Sequence, residues 1–118
     1  MRALIFACAI AMGSAANAQE RTPTERQGLT ELAYTLGQSH GLRQLCDGEA
    51  DQYWRAWMGR MLETESPDDS FDRRLRDSFN TGYASAQAKF PSCTPAARAE
   101  AERSARRGQA LARGAAGG

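Results

Sequence analysis

The apolar positions of the chain recur at helical spacing in four successive segments. The first stripe runs through residues 29–40 at steps of three and four, which places it on one face of an α-helix. Thr22 can accept a hydrogen bond from the Glu25 N–H while Glu25 reaches back, and Pro23 suits the first turn. These signals predict a helix that starts after Thr22 and ends or bends near Gly41.

A second helix is predicted to start at Asp47, with Glu49 and Asp51 in its first turn, where the helix macrodipole favours carboxylates. Its apolar residues cover about half of the helix circumference, which is wider than a single core contact requires. They are Tyr53, Trp54, Trp57, Met58, Met61 and Leu62.

The third helix has the clearest pattern, and we expect the hydroxyl of Ser66 and the ring of Pro67 to open it. Its stripe consists of Phe71, Leu75, Phe79, Gly82, Ala86 and Phe90. Thr94 and Pro95 open a fourth helix, which is only weakly amphipathic and is expected to pack loosely. Its apolar face is limited to Ala97, Ala101, Ala105 and Leu111.

The predicted fold class is all-α: a small helical bundle of about four helices with one disulfide. Valine is absent and isoleucine occurs only within residues 1–18, so the remaining chain lacks the β-branched apolar residues that strands favour. We expect a helical domain over residues 19–113 and a disordered tail over residues 114–118, where nothing apolar is available to bury.

Residues 1–18 have the pattern of a secretory signal peptide. Arg2 precedes ten uncharged residues, and Ala16 and Ala18 supply the small side chains expected before a cleavage site. We therefore predict cleavage after Ala18 and a periplasmic location. A transmembrane segment is excluded by length, because a span needs about 20 apolar residues. A lipoprotein signal ending at Cys8 is the alternative, although Phe6 is bulky where a small residue is expected.

Removal of the leader leaves two cysteines, Cys46 and Cys93, and two cysteines in a small exported domain usually pair. A bridge between them closes a loop of about 48 residues, which corresponds to roughly 4 kcal/mol of stabilisation in the chain-entropy model. A metal-binding or redox pair is the alternative, but the chain has no C-x-x-C spacing.

The charges balance and give no support for nucleic-acid binding. The sequence has 15 basic and 14 acidic side chains, and loss of Arg2 makes the numbers equal. Residues 47–72 hold eight acids and two bases, whereas residues 73–113 hold nine bases and three acids. This asymmetry indicates two solvated faces or an intramolecular match more often than a docking surface.

Several short strings resemble a family of small exported proteobacterial proteins of uncharacterised function. They are residues 39–46, 53–55, 79–83 and 92–97, and the resemblance extends over about residues 29–111. It implies a periplasmic location and a paired cysteine framework. It implies no activity, substrate or catalytic residue.

No catalytic constellation, metal site or cofactor motif is recognised, so we do not predict an enzyme. A calcium loop starting at Asp47 fails, because its sixth and twelfth positions are Gln52 and Met58. A small-ligand or metal-binding protein is an alternative hypothesis. Its candidate residues are His40, Arg43, Met58 and Met61, although a buried histidine with one hydrogen-bond partner and two core methionines explain them more simply.

The wide aromatic face of the second helix carries the main functional hypothesis. Tyr53, Trp54, Trp57 and Arg60 are of the residue types enriched at protein interfaces. We therefore predict a periplasmic helical interaction or structural module that binds another envelope protein, with its oligomeric state left open. The competing interpretation buries both tryptophans in the core.

Overall fold

A computed structural model describes residues 20–117 and contains four helices and no strand within that range. The helices are α1 (Pro23–Asp47), α2 (Tyr53–Glu65), α3 (Asp69–Lys89) and α4 (Pro95–Gly117). The all-α prediction is confirmed. The predicted leader, its cleavage site after Ala18 and the alternative at Cys8 lie outside the described residues. None of the described helices combines the length and apolar content that a membrane span requires.

Helix α1 is the central element, and it packs against α3, α4 and α2 in decreasing order of extent. Its start is as predicted, since Thr22 and Glu25 form the capping box. The predicted end near Gly41 is wrong, because the helix continues to Asp47. A Cβ on Gly41 would lie 3.0 Å from the carbonyl oxygen of Tyr83, so this glycine permits close helix packing.

Glycines bring the backbones of α1 and α3 together over the middle of the bundle. A Cβ on Gly37 would overlap the carbonyl oxygen of Phe79, and a Cβ on Gly82 would overlap that of Tyr34. Each helix therefore packs a glycine against the backbone of the other, and no larger residue fits at either position without moving a backbone.

Helix α2 starts at Tyr53 and not at Asp47, which is the last residue of α1. Gly48 separates them with φ of 109°, a conformation that residues with a Cβ rarely adopt. Asp51 lies in the connecting loop, where its carboxylate accepts hydrogen bonds from Arg43 Nε at 2.6 Å and from the Tyr53 N–H at 3.1 Å.

Helix α3 has the predicted buried stripe but a different cap. Asp68 accepts the hydrogen bond from the Phe71 N–H, whereas Ser66 terminates α2 in the left-handed region with φ of 44°. The predicted opening by Ser66 and Pro67 was therefore wrong by two residues.

Helix α4 packs more closely and extends further than predicted. Ala97 and Ser104 are fully buried, and the Ser104 hydroxyl lies 2.7 Å from that of Ser39 on α1. The predicted loss of structure after Arg113 differs from the structure, in which α4 continues to Gly117 and Ala115 packs against the core. Small side chains make this packing possible, because they let the two helices approach closely.

The predicted disulfide is confirmed. Cys46 and Cys93 are bonded, with their Cα atoms 5.1 Å apart. The bridge joins the last turn of α1 to the loop before α4, beside a small apolar cluster of Leu42, Ala86 and Ala97. The main core lies further along the bundle and involves α1, α2 and α3.

Candidate functional site

An apolar cleft of about 450 Å³ lies between α2 and α4, and we call it the α2–α4 trough. Its floor is formed by α1, because α2 and α4 both pack on that helix and have almost no backbone contact with each other. The floor consists of Leu29, Leu32 and Leu36, and the walls include Tyr53, Trp54, Trp57, Arg60, Met61 and Thr64 of α2 and Gly108, Gln109, Ala112, Ala115 and Ala116 of α4.

The α2 wall is aromatic and partly open to solvent. Tyr53 is 47% exposed and Trp57 is 45% exposed, whereas Trp54 packs partly against the core. The rings of Tyr53 and Trp54 meet edge to face, with centroids 4.9 Å apart. The guanidinium of Arg60 lies 4.5 Å from the centroid of Trp57. All four residues of the predicted partner surface therefore line one cleft, and the interpretation that buries both tryptophans does not describe Trp57.

The α4 wall consists largely of glycine and alanine. Gly108, Ala112 and Ala115 recur at steps of three and four along the helix, so they share one face. Their side chains do not reach across to α2. The trough is open because one wall has large rings and the opposite wall has almost no side chains.

A buried ion pair closes one end of the trough. Arg21 donates from Nε and from one terminal nitrogen to the two oxygens of Glu65, at 2.7 and 2.8 Å. Its other terminal nitrogen donates to the carbonyl oxygen of Ala115 at 3.1 Å. Hydrogen bonding to Glu65 raises the pKa of Arg21, which stays charged. The pair fastens the chain before α1 to the ends of α2 and α4.

Sequence reasoning missed this ion pair and the glycine and alanine wall. Arg21 and Glu65 are 44 positions apart, and no local pattern connects them. The predicted apolar face of the fourth helix does not include the residues that line the trough. That prediction named Ala97, Ala101, Ala105 and Leu111. The signal for this wall in the sequence is the recurrence of small residues at positions 108, 112 and 116, which lie on one face of a helix.

His40 is buried on the same stripe of α1 as Leu36, one turn further along the helix, with its ring close to two aromatic side chains. Its centroid lies 5.6 Å from that of Phe79 and 5.3 Å from that of Tyr83. Its Nδ1 has no hydrogen-bond partner, although one partner was expected. Burial lowers the pKa of His40, the cation of Arg55 lowers it further, and the carboxylate of Asp51 opposes the shift.

The remaining residues of the ligand hypothesis lie in different surroundings. Met58 is part of the main core, Met61 lines the trough, and Arg43 pairs with Asp51 while its guanidinium lies over the Tyr53 ring. Across residues 20–117, no group of three or more histidine, cysteine, aspartate or glutamate side chains is placed to hold a metal ion.

A family model described as "Protein of unknown function (DUF2385)" matches residues 23–116. The match includes α1, α2, α3, nearly all of α4 and both walls of the trough. No curated protein and no solved structure matches the chain.

Proposed function

The chain belongs to the DUF2385 family of proteins of unknown function, and from that premise we propose that it is an interaction module of the cell envelope that binds a protein partner in the α2–α4 trough. The observation that carries this proposal is the apolar trough with a half-exposed aromatic wall formed by Tyr53 and Trp57. Large exposed aromatic side chains that share one concave surface are typical of binding sites.

Burial of the aromatic α2 wall by a partner would contribute favourably to the free energy of binding. A buried aromatic side chain removes about 150–250 Å² from water, so covering the exposed halves of Tyr53 and Trp57 contributes about 5 kcal/mol before association costs. Arg43 and Arg60 lie over these two rings at 4.6 and 4.5 Å. Because the rings are already held in the free protein, a partner has little side-chain entropy left to remove.

The trough is preformed by the rest of the bundle. Its leucine floor belongs to α1, which is fixed against α3 by the contacts at Gly37 and Gly82. Its far end is held by Arg21 and Glu65, whose side chains are each 6% exposed. A rigid site supports binding because the folding of the domain has already ordered it.

The cell-envelope location is part of the proposal and has two supports. The first is the signal-peptide pattern of residues 1–18. The second is the disulfide of Cys46 and Cys93, a bond typical of oxidising compartments. Intact-mass measurement of the exported protein should give a chain that begins at Gln19, and retention of residues 1–18 would contradict the periplasmic assignment.

A small-ligand or metal-binding protein that uses His40, Met58 and Met61 is the second candidate. The observation in its favour is the unpartnered Nδ1 of His40 in a buried setting. Titration of the oxidised protein with copper or zinc tests it: stoichiometric uptake that is lost in His40→Ala favours this candidate, and absence of uptake removes the metal-binding form.

Site-specific photo-crosslinking in the intact envelope tests the proposed function. A photoreactive phenylalanine derivative replaces Thr64, which is exposed on the α2 wall, and in a matched control replaces Thr81, which is exposed on α3. We expect one reproducible protein adduct at position 64 that is absent at position 81. The adduct should disappear in Ala112→Phe, which fills the trough from α4. Equal adducts at both positions would contradict the proposal.

A further inference from the structure

We infer that the partner inserts an amphipathic helix into the α2–α4 trough, with an acidic side chain beside its apolar face. This inference rests on the proposed function, since it specifies the chemistry of the partner at the same site. It is carried by the dimensions of the trough, the contrast between its walls and its uncompensated positive charge.

The dimensions suit about two turns or more of helix. Lining residues run from Tyr53 to Glu65 on α2 and from Gly108 to Ala116 on α4. At 1.5 Å per residue these walls are about 18 and 12 Å long. Anchors at positions i, i+3 or i+4, and i+7 of a bound helix span about 10.5 Å, which both walls accommodate.

The two walls supply different contacts to such a helix. The small exposed residues Ala112 and Ala116 let the backbone of a partner helix approach α4 closely. Across the trough, Trp57 and Met61 provide apolar surface for its larger side chains, and Leu32 lies in the floor between them. A partner helix lying here would contact α2 and α4 together, above the leucine floor, and would occupy the place of a fifth helix in the bundle.

The charges of the trough lining favour an acidic partner. Three charged residues line it, namely Arg21, Arg60 and Glu65. Arg21 and Glu65 neutralise each other in their ion pair. Arg60 forms no ion pair with any carboxylate of residues 20–117, and its guanidinium lies over the exposed Trp57 ring. A carboxylate beside the apolar face of a bound helix would give this guanidinium a charge-assisted hydrogen bond.

Two designed peptides test the inference on the oxidised, exported protein. Both are 14-residue helices with leucine at the anchor positions, and they differ only by glutamate or lysine at the flanking position. The sequence has two tryptophans, Trp54 and Trp57, and both line the trough, so their emission reports occupancy without a label. We expect the glutamate peptide to bind about fivefold more tightly, since an exposed ion pair contributes up to about 1 kcal/mol.

Charge reversal and a steric block make the test specific. Arg60→Glu should invert the preference so that the lysine peptide binds more tightly, whereas Arg73→Glu on α3 should leave the preference unchanged. Ala112→Phe should weaken both peptides at least tenfold. Ala110→Phe is its matched control, because Ala110 is also exposed on α4 but does not line the trough.

Three outcomes would overturn the inference. The first is failure of both peptides to bind, and the second is equal binding that Arg60→Glu does not change. The third is a competition experiment in which neither peptide displaces the other, although laurate binds in the trough. That result would indicate that the occupant is an amphiphile and not a helix. If any one of them occurs while the Thr64 adduct persists, the helix inference fails and the proposed function stands. If the adduct is also lost, both fail.

Discussion

Helix α1 packs differently on the face toward α3 and on the face toward the trough. On the face toward α3, Gly37 and Gly82 allow the backbones to meet, and no space remains. On the face toward the trough, the leucine floor is also buried, and the exposed apolar surface belongs to Tyr53 and Trp57 of α2. Both faces contribute to the core, but only the second supports a wall with large exposed rings. A small domain that packs its central helix tightly can present such a wall for binding.

Truncation of one aromatic residue from each region gives the largest contrast. Phe71→Ala should lower the free energy of unfolding by about 4 kcal/mol, because Phe71 is 2% exposed in the core. Trp57→Ala should lower it by only about 2 kcal/mol, because nearly half of that side chain is already in water. Urea denaturation of both variants measures the difference. Equal losses would mean that Trp57 is a core residue and that the trough is closed.

Removal of the disulfide tests the closed region at the end of α1. Replacing Cys46 and Cys93 together by serine should lower the free energy of unfolding by about 4 kcal/mol, because the unfolded chain regains the entropy of a long loop. Urea denaturation of the double variant beside the oxidised protein measures this loss. A decrease below about 1 kcal/mol would show that the helix packing alone holds this region.

A pair of glycine substitutions tests the close backbone contact between α1 and α3. Gly37→Ala should cost about 3 kcal/mol, since the new methyl group collides with the Phe79 carbonyl oxygen. Gly59→Ala is the matched control on α2, where nothing lies within 4 Å of the added Cβ, and it should stabilise the protein by about 0.5–1 kcal/mol. Thermal and urea unfolding of both variants should show opposite signs. The same sign for both would contradict the account of the α1–α3 contact.

The smallest expected effect is a pH dependence from His40, the only histidine. Its pKa is lowered in the folded state, so between that pKa and the ordinary value of about 6.5 the unfolded chain binds more protons. The free energy of unfolding should therefore decrease as the pH falls below about 6.5. His40→Phe should remove this slope, and an unchanged slope in that variant would assign it to other groups.

Local signals in the sequence predicted much of the fold. The Thr22 and Glu25 capping box, the α3 stripe and the pairing of Cys46 with Cys93 depend on residue type and spacing, and the structure has all three. Glycine was harder to interpret. Gly41 lies inside a helix because of a tertiary contact, whereas Gly48 ends that helix through its positive φ. The sequence alone does not distinguish these two uses.

Only one wall of the trough could be predicted from the sequence, because only that wall depends on a local pattern of residues. The breadth of the apolar face on α2 identified the wall that contains Tyr53 and Trp57. The opposite wall and the Arg21–Glu65 pair depend on how α4 lies against α1, which is set by contacts between distant residues such as Ser39 and Ser104. Small residues on a helix indicate close packing but do not show which face stays open.

Quenching of Trp57 by acrylamide tests the central claim, that the trough is open in the free protein and covered in the complex. The measurement uses Trp54→Phe, which leaves Trp57 as the only tryptophan, without and with a saturating amount of the glutamate-bearing peptide. We predict efficient quenching in the free protein and a severalfold decrease in the complex. Quenching that the bound peptide does not change, or a Trp57 already shielded in the free protein, would contradict the account.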